Sequence, residues 1–215
     1  MNPRLLELGD AALTLELGDR IDPAINARVM AARDALATAG LQGITDLVPT
    51  YRSLTVHFDP LATDRSALIE HLHAAAAAPQ YSALAGRQFE IPVRFGGADG
   101  PDLDEVAAAT GRGANEIVAT LCSLELRVYL IGFLPGFPYL GDLPDWLRLP
   151  RRATPRTAVP ANSVAIAGQQ AAVYPWQSPG GWHLLGRTTV QMFDATNPAR
   201  PALLAPGDKV RFVHA

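Results

Sequence analysis

Residues 128–144 read VYLIGFLPGFPYLGDLP, and the fold of the second half of the chain turns on how they are read. They continue the run LRVYLIGF (126–133), whose nearly unbroken apolar character marks a strand covered on both faces. The thirteen residues from Gly132 then hold three glycines, three prolines and three aromatic rings. Glycine admits positive φ and close backbone approach, proline fixes φ and removes a donor, and rings fill a pocket wall. The stretch reads as a buried strand that delivers a shaped loop at the rim of a sheet. Phe133, Pro135, Phe137 and Tyr139 then line a pocket, form the apolar centre of a subunit interface, or anchor the loop in the core.

Working outward, FEIPVRF (89–95) has the texture of a strand. Asp102 with Glu105 three residues on resembles a capping box opening a helix that Gly111 stops, and a short helix over 114–122 leads into the apolar strand. Beyond residue 144 no long helical pattern remains. Strand-like pieces at 163–166, 171–174, 182–185, 190–193 and 209–213 sit between Pro/Gly turns, the rhythm of a barrel or sandwich.

The first eighty residues have a different grammar. AALTLEL (11–17) alternates as a strand, and Asp22-Pro23 supplies an N-cap and N1 proline for a helix that Gly40 ends, with Ile25, Val29, Ala32 and Leu36 inward. ITDLVP (44–49) and SLTVHF (53–58) read as paired strands, and Thr63 or Asp64 opens a second helix. The order β-α-β-β-α is that of a split βαβ module. The stretch 74–88, with Pro79 and Gly86, loses this periodicity and is the expected linker, dividing the chain into domains 1–84 and 85–215.

Composition bounds the function. The chain has 215 residues, 48% of them apolar, with a net charge of −3, which offers no basic footprint for nucleic acid or an anionic membrane. No apolar run approaches the length of a membrane span and the N-terminus carries no leader pattern, so a cytoplasmic protein is expected. One cysteine, Cys122, excludes an internal disulfide framework and a multi-cysteine metal site; His71 and His73 point to different faces of a helix and make no metal pair. No metal site is expected. Lys209 is the sole lysine, and no phosphate-loop or dinucleotide fingerprint exists.

Three blocks carry a family resemblance: VYLIGFLPGFPYLGDLP, PRRATPRTAVPANSVAIAGQQAAVYPWQSPGGWHLLGRT (150–188) and LLAPGDKVRF (203–212). With LGDAALTLELGDRIDP and GITDLVPTYRSLTVHFDP near the start, the chain resembles, almost end to end, the 5-oxoprolinase B-subunit family, also called allophanate hydrolase subunit 1. That family includes an inhibitor of a sporulation histidine kinase. The resemblance implies an α+β fold: a small N-terminal ferredoxin-like α/β domain followed by a C-terminal cyclophilin-like β-barrel without prolyl isomerase activity. It implies a non-autonomous hydrolase component that, with companion subunits C and A, ATP and Mg²⁺, cleaves 5-oxoproline to glutamate. The alternatives are a component acting on another small lactam or urea-derived amide, such as allophanate, or a regulatory module binding a histidine kinase.

Arg148, Arg151, Arg152 and Arg156 lie within nine residues, and a guanidinium fork suits a small carboxylate or phosphate. Arg152 and Arg156 are favoured as catalytic because their blocks match the family; the alternative is pairing with acids such as Asp142 or Asp145. In YPWQSPGGW (174–182), Ser178 with the Gly180 and Gly181 amides forms an anion nest or, equally, a tight hairpin built on positive φ. Tyr174 and Trp182 divide between core and pocket wall, with Ser163 and Gln169 as candidate polar orienters in a mostly apolar cavity. A Ser178–His183 triad is disfavoured, since no G-x-S-x-G elbow exists and Asp194 would be an arbitrary third member. Relatives often carry His where this chain has Cys122, Tyr for Leu126, and glycine at Asn162 and Ala165; Asn162 is expected to keep its turn because Asn tolerates the left-handed region.

Overall fold

A computed structural model describes residues 2–77 and 86–215, which divide into two compact units, Met1–Ala85 and Gly86–Ala215. The expected linker at 74–88 and the expected 84/85 boundary fall largely on residues 78–85, outside the described residues. No described helix is long and apolar enough to cross a membrane.

In the first unit β1 (Arg4–Glu7), β2 (Ala12–Glu16), β3 (Ile44–Pro49) and β4 (Ser53–Phe58) form an antiparallel sheet in the order β1-β2-β4-β3. Helix α1 spans Pro23–Ala39 and α2 spans Arg65–Ala77. Strand β4 lies between β2 and β3, the expected split βαβ; β1 has no clear signal in the sequence and fills the remaining edge of a ferredoxin-like sheet. Asp22 caps α1 by accepting from the Ala24 and Ile25 amides at 2.8 and 3.3 Å, and Gly40 closes it at φ +60. Asp64 caps α2 in the same way through Ser66 and Ala67. Val29, Ala32 and Leu36 are buried as expected, but the fully enclosed residue of the first turn is Asn26, and Ile25 only packs alongside. The Asn26 amide donates to the Thr50 carbonyl at 3.0 Å, so a polar residue ties the helix to the β3–β4 turn.

In the second unit seven strands close a barrel in the order β10-β7-β6-β13-β5-β12-β9. These are β5 (Gln88–Phe95), β6 (Leu126–Ile131), β7 (Pro138–Gly141), β9 (Ser163–Ala167), β10 (Gln170–Val173), β12 (His183–Thr188) and β13 (Lys209–His214). All the barrel pairs are antiparallel except β5–β13, which is parallel over six residue pairs from Lys209↔Gln88 to His214↔Val93. Helices α3 (Leu103–Thr110) and α4 (Ala114–Ser123) connect β5 to β6 and pack Leu103, Val106, Ile117 and Leu121 into the same core as the barrel interior. Outside the barrel, β8 (Arg156–Val159) and β11 (Ser178–Gly180) pair into a two-stranded ribbon.

The opening stretch is therefore half loop and half strand. Pro138–Gly141 is β7, the neighbour of β6, so Gly132–Phe137 is a hairpin connection. Ser163–Ala167 and Gln170–Val173 also fall where expected, whereas 190–193 makes only an isolated bridge, Phe193↔Ala202. Every residue of β9 is buried, for a reason that alternation explains. Val164 and Ile166 face the lumen with Val128, Leu140 and Phe212, while Ala165 and Ala167 belong to a second, outer cluster beneath the β8–β11 ribbon.

Candidate functional site

The outer cluster is an aromatic nest. Phe137 sits at its centre, edge-on to Phe133, Tyr139, Tyr174 and Trp182 at ring-centroid distances of 5.3, 5.0, 5.1 and 5.9 Å. Tyr139 and Trp182 also meet, at 5.9 Å. Strands β9 and β10 supply Ala165, Ala167 and Ala172 beneath them and so leave the volume to the rings, with Leu184 of β12 alongside. Phe137 is buried, Tyr139 half-buried and Phe133 61% exposed, which grades the cluster from core to surface. Phe133 is held at φ +68, a conformation disfavoured for a bulky residue, and this backbone turns its ring outward. Pro135 is exposed beside it and accepts from the Trp176 indole N–H at 3.3 Å.

The ribbon closes one side. Ser178 pairs with Val159 across β11 and β8, and paired residues share a face, so the hydroxyl points toward the cluster that Val159 enters. Ser178 is buried and its Oγ makes no hydrogen bond. Tyr174 lies against Gly180: a Cβ there would stand 2.4 Å from the phenolic oxygen. Neither Gly180 nor Gly181 has a positive φ, so the αR–αL alternation of an anion nest is not formed and the positive-φ hairpin is not formed either. Gly180 is required because a ring occupies the space of its side chain. Burial pushes the Tyr174 phenol up to about 12 against the opposing charge of Arg151. Burial also raises Tyr139, again with Arg151 opposing.

The arginine loop divides. Arg156 grips Asp102 with both Nη atoms, at 2.6 and 2.9 Å, and Arg152 reaches the same carboxylate at 2.9 Å and Glu105 at 2.6 Å. The Leu184 amide completes the shell of Asp102 at 2.7 Å. Burial alone would raise the Asp102 carboxyl, but the Arg156 hydrogen bond, the Leu184 amide and the two guanidinium charges outweigh it and hold it below the usual range. Asp102 consequently does not cap α3, and the capping-box reading fails: its side chain is turned to the arginines and Glu105 to Arg152. Asp142 and Asp145, the partners named in the alternative reading, instead accept from the Tyr129 hydroxyl and from Gln169 Nε2.

Of the sequence-derived candidates, Phe137, Tyr139, Tyr174, Ser178, Gly180, Gly181 and Trp182 gather at the nest, with Phe133 and Pro135 at its exposed edge. Arg152 and Arg156 form the clasp on Asp102. Ser163 donates to the Pro160 carbonyl at 2.8 Å within its turn, and Gln169 is tied to Asp145. Asn162 adopts φ +65, keeping the turn. No triad forms: Asp194 accepts from Thr196, and His183 Nε2 donates to the Pro150 carbonyl at 2.9 Å while Nδ1 is buried without a partner. Cys122 is partly buried on α4, and burial pushes its thiol up, away from the reactive thiolate. Sequence reasoning missed Asp102 as the anchor of the arginines; fifty residues separate it from Arg152, and no local pattern links them.

A family described as carboxyltransferase domain, subdomain C and D, matches residues 3–204. The chain is 42% identical over 211 residues to the 5-oxoprolinase B subunit of Escherichia coli O157:H7, covering 96% of this chain and 93% of that one. It is 37% identical to the protein of the same name from Bacillus subtilis, covering 96% and 90%. Among solved structures, TTHA0988 superposes with a TM-score of 0.84 at 40% identity over 95% of this chain; the chain spans only 40% of that protein's length.

Proposed function

This chain belongs to the carboxyltransferase subdomain C and D family, in company with the curated 5-oxoprolinase B subunits, and from that premise we propose that it is the B subunit of a 5-oxoprolinase, one chain of an enzyme complex that opens the lactam of 5-oxoproline to give glutamate. The end-to-end likeness to those subunits carries the reading. Their names also favour the enzyme over a kinase inhibitor.

The chain is proposed to be inactive alone. Ser178 and His183 are not hydrogen-bonded to each other, and the arginines of the clasp are committed to Asp102. Companion subunits C and A are proposed to complete the site. A longer polypeptide such as TTHA0988, which holds a unit of this fold within a larger chain, is consistent with such a neighbour. ATP with Mg²⁺ is proposed for the complex, and the described residues of this chain gather no site for the ion. Among them no group of His, Cys, Asp and Glu is gathered as a metal ligand set, and Lys209 is paired with Glu125 at 2.5 Å. Nucleotide binding is proposed to draw on the companion chains, and the aromatic nest is proposed to receive the small lactam acid. A cytoplasmic location is proposed for the complex.

Glutamate release from 5-oxoproline with ATP and Mg²⁺, measured for this chain, for subunits C and A, and for the mixture, tests the reading. Activity confined to the mixture is expected. Full activity without this chain, or silence in a mixture that has assembled, overturns it; in the second case the assay is repeated with urea-derived amides.

A further inference from the structure

The four arginines of one loop are not equivalent, and the difference selects one of them. Asp102 receives three guanidinium hydrogen bonds and one amide, so drawing Arg152 or Arg156 onto a ligand would strand a buried carboxylate. Arg151 is exposed, and among the described residues no acidic side chain pairs with it. Its place is set by the backbone around it: the Arg152 amide donates to the Gly181 carbonyl at 2.7 Å, and the Arg151 Cβ lies 3.8 Å from where a Cβ on Gly181 would stand. At the adjoining Gly180 the Tyr174 hydroxyl occupies the space a Cβ would take, and Trp182 follows. The Arg151 charge is felt by both the Tyr139 and the Tyr174 phenols, which lie on either side of Phe137.

From this placement we infer that Arg151, exposed beside Gly181 at the edge of the aromatic nest, holds the carboxylate of the substrate, an inference that rests on the reading of this chain as the B subunit of a 5-oxoprolinase. A guanidinium with no acidic partner among the described residues offers its fork without breaking any existing ion pair. The flat lactam ring then lies against aromatic faces rather than in water. Arg148 is also exposed, but no contact places it near these rings.

The carboxylate is unchanged by ring opening, so the contact binds ground state and transition state alike. In the assembled complex Arg151→Ala is expected to raise KM for 5-oxoproline about 10- to 100-fold with kcat reduced by less than about threefold. The variant also loses the wild-type preference for 5-oxoproline over 2-pyrrolidinone, the same ring without a carboxylate. Arg151→Lys keeps the charge but not the fork and retains part of both. An active Arg151→Ala complex with unchanged KM and unchanged discrimination overturns the assignment and leaves the functional reading intact. Loss of assembly in both variants moves Arg151 to an interface between chains and also overturns it. A wild-type complex that neither turns over nor binds 5-oxoproline, measured by calorimetry, overturns the functional reading and the assignment with it.

Discussion

Arg152 and Arg156 on one side, and Arg151 on the other, come from the same loop yet live in opposite electrostatic circumstances. The first two surround a carboxylate that is almost fully enclosed, and their fork geometry is spent on holding α3, the loop and β12 together. Arg151 makes no ion pair among the described residues and lies beside Gly181, at the edge of the nest. Charge density in a sequence thus says where recognition can occur, but availability is decided by which charges the fold has already consumed.

The sharpest way to break this contrast is Asp102→Ala, which strips the carboxylate from two half-buried guanidiniums and is expected to destabilise the barrel unit by about 3–5 kcal/mol in chemical denaturation. A loss below about 1 kcal/mol would mean that the clasp is not structural. The same carboxyl has a pH signature. Its folded pKa is depressed, so its stabilisation is fully present above the unfolded value near 3.9 and is lost as pH falls through the lower folded value. The stability gap between wild type and Asp102→Asn should therefore close below about pH 4; a gap that stays constant to lower pH would contradict the ion-pair account.

Gly180→Ala is next, expected to cost about 1–3 kcal/mol because the new methyl meets the Tyr174 ring and hydroxyl. Since the nearest atom is the hydroxyl oxygen, Tyr174→Phe in the same chain should recover part of the loss, and thermal melts of the double-mutant cycle read the coupling. Phe133→Gly should leave stability within about 1 kcal/mol of wild type, because glycine relieves the positive φ while adding freedom to the unfolded chain. A marked fall in stability would show that the exposed ring is a core anchor. The smallest effect belongs to Arg151→Ala, whose stability should change by less than about 0.5 kcal/mol even as substrate affinity falls.

Much of the architecture was legible because its signals are local. Asp22-Pro23 and Gly40 mark α1 through capping and φ, which depend on a few neighbouring residues. ITDLVP and SLTVHF have the bounds of β3 and β4 because apolar side chains and a turn set both ends. The strands that escaped were β1, β7, β8 and β11, each three or four residues long. Their only support is a partner elsewhere in the chain. Asn26 shows the same limit inside a helix, since its burial depends on the Thr50 carbonyl twenty-four residues on.

The site divides along the same line. Its residue types were visible in two blocks, GFLPGFPY and YPWQSPGGW, and the rings do meet around Phe137. Which arginine is free was not visible, because the answer depends on Asp102, fifty residues before Arg152 and indistinguishable in sequence from an ordinary N-cap. Composition, caps and hydrophobic alternation, all short-range, determined by themselves that this protein has a small split-βαβ unit, a strand-rich second half and an aromatic, arginine-rich loop region. Only the tertiary structure decided that β7, β9 and β10 present a second buried face outside the barrel and that two of the loop's arginines are spent on Asp102. Burial and ion pairing are set by whatever side chain arrives from a distant part of the chain.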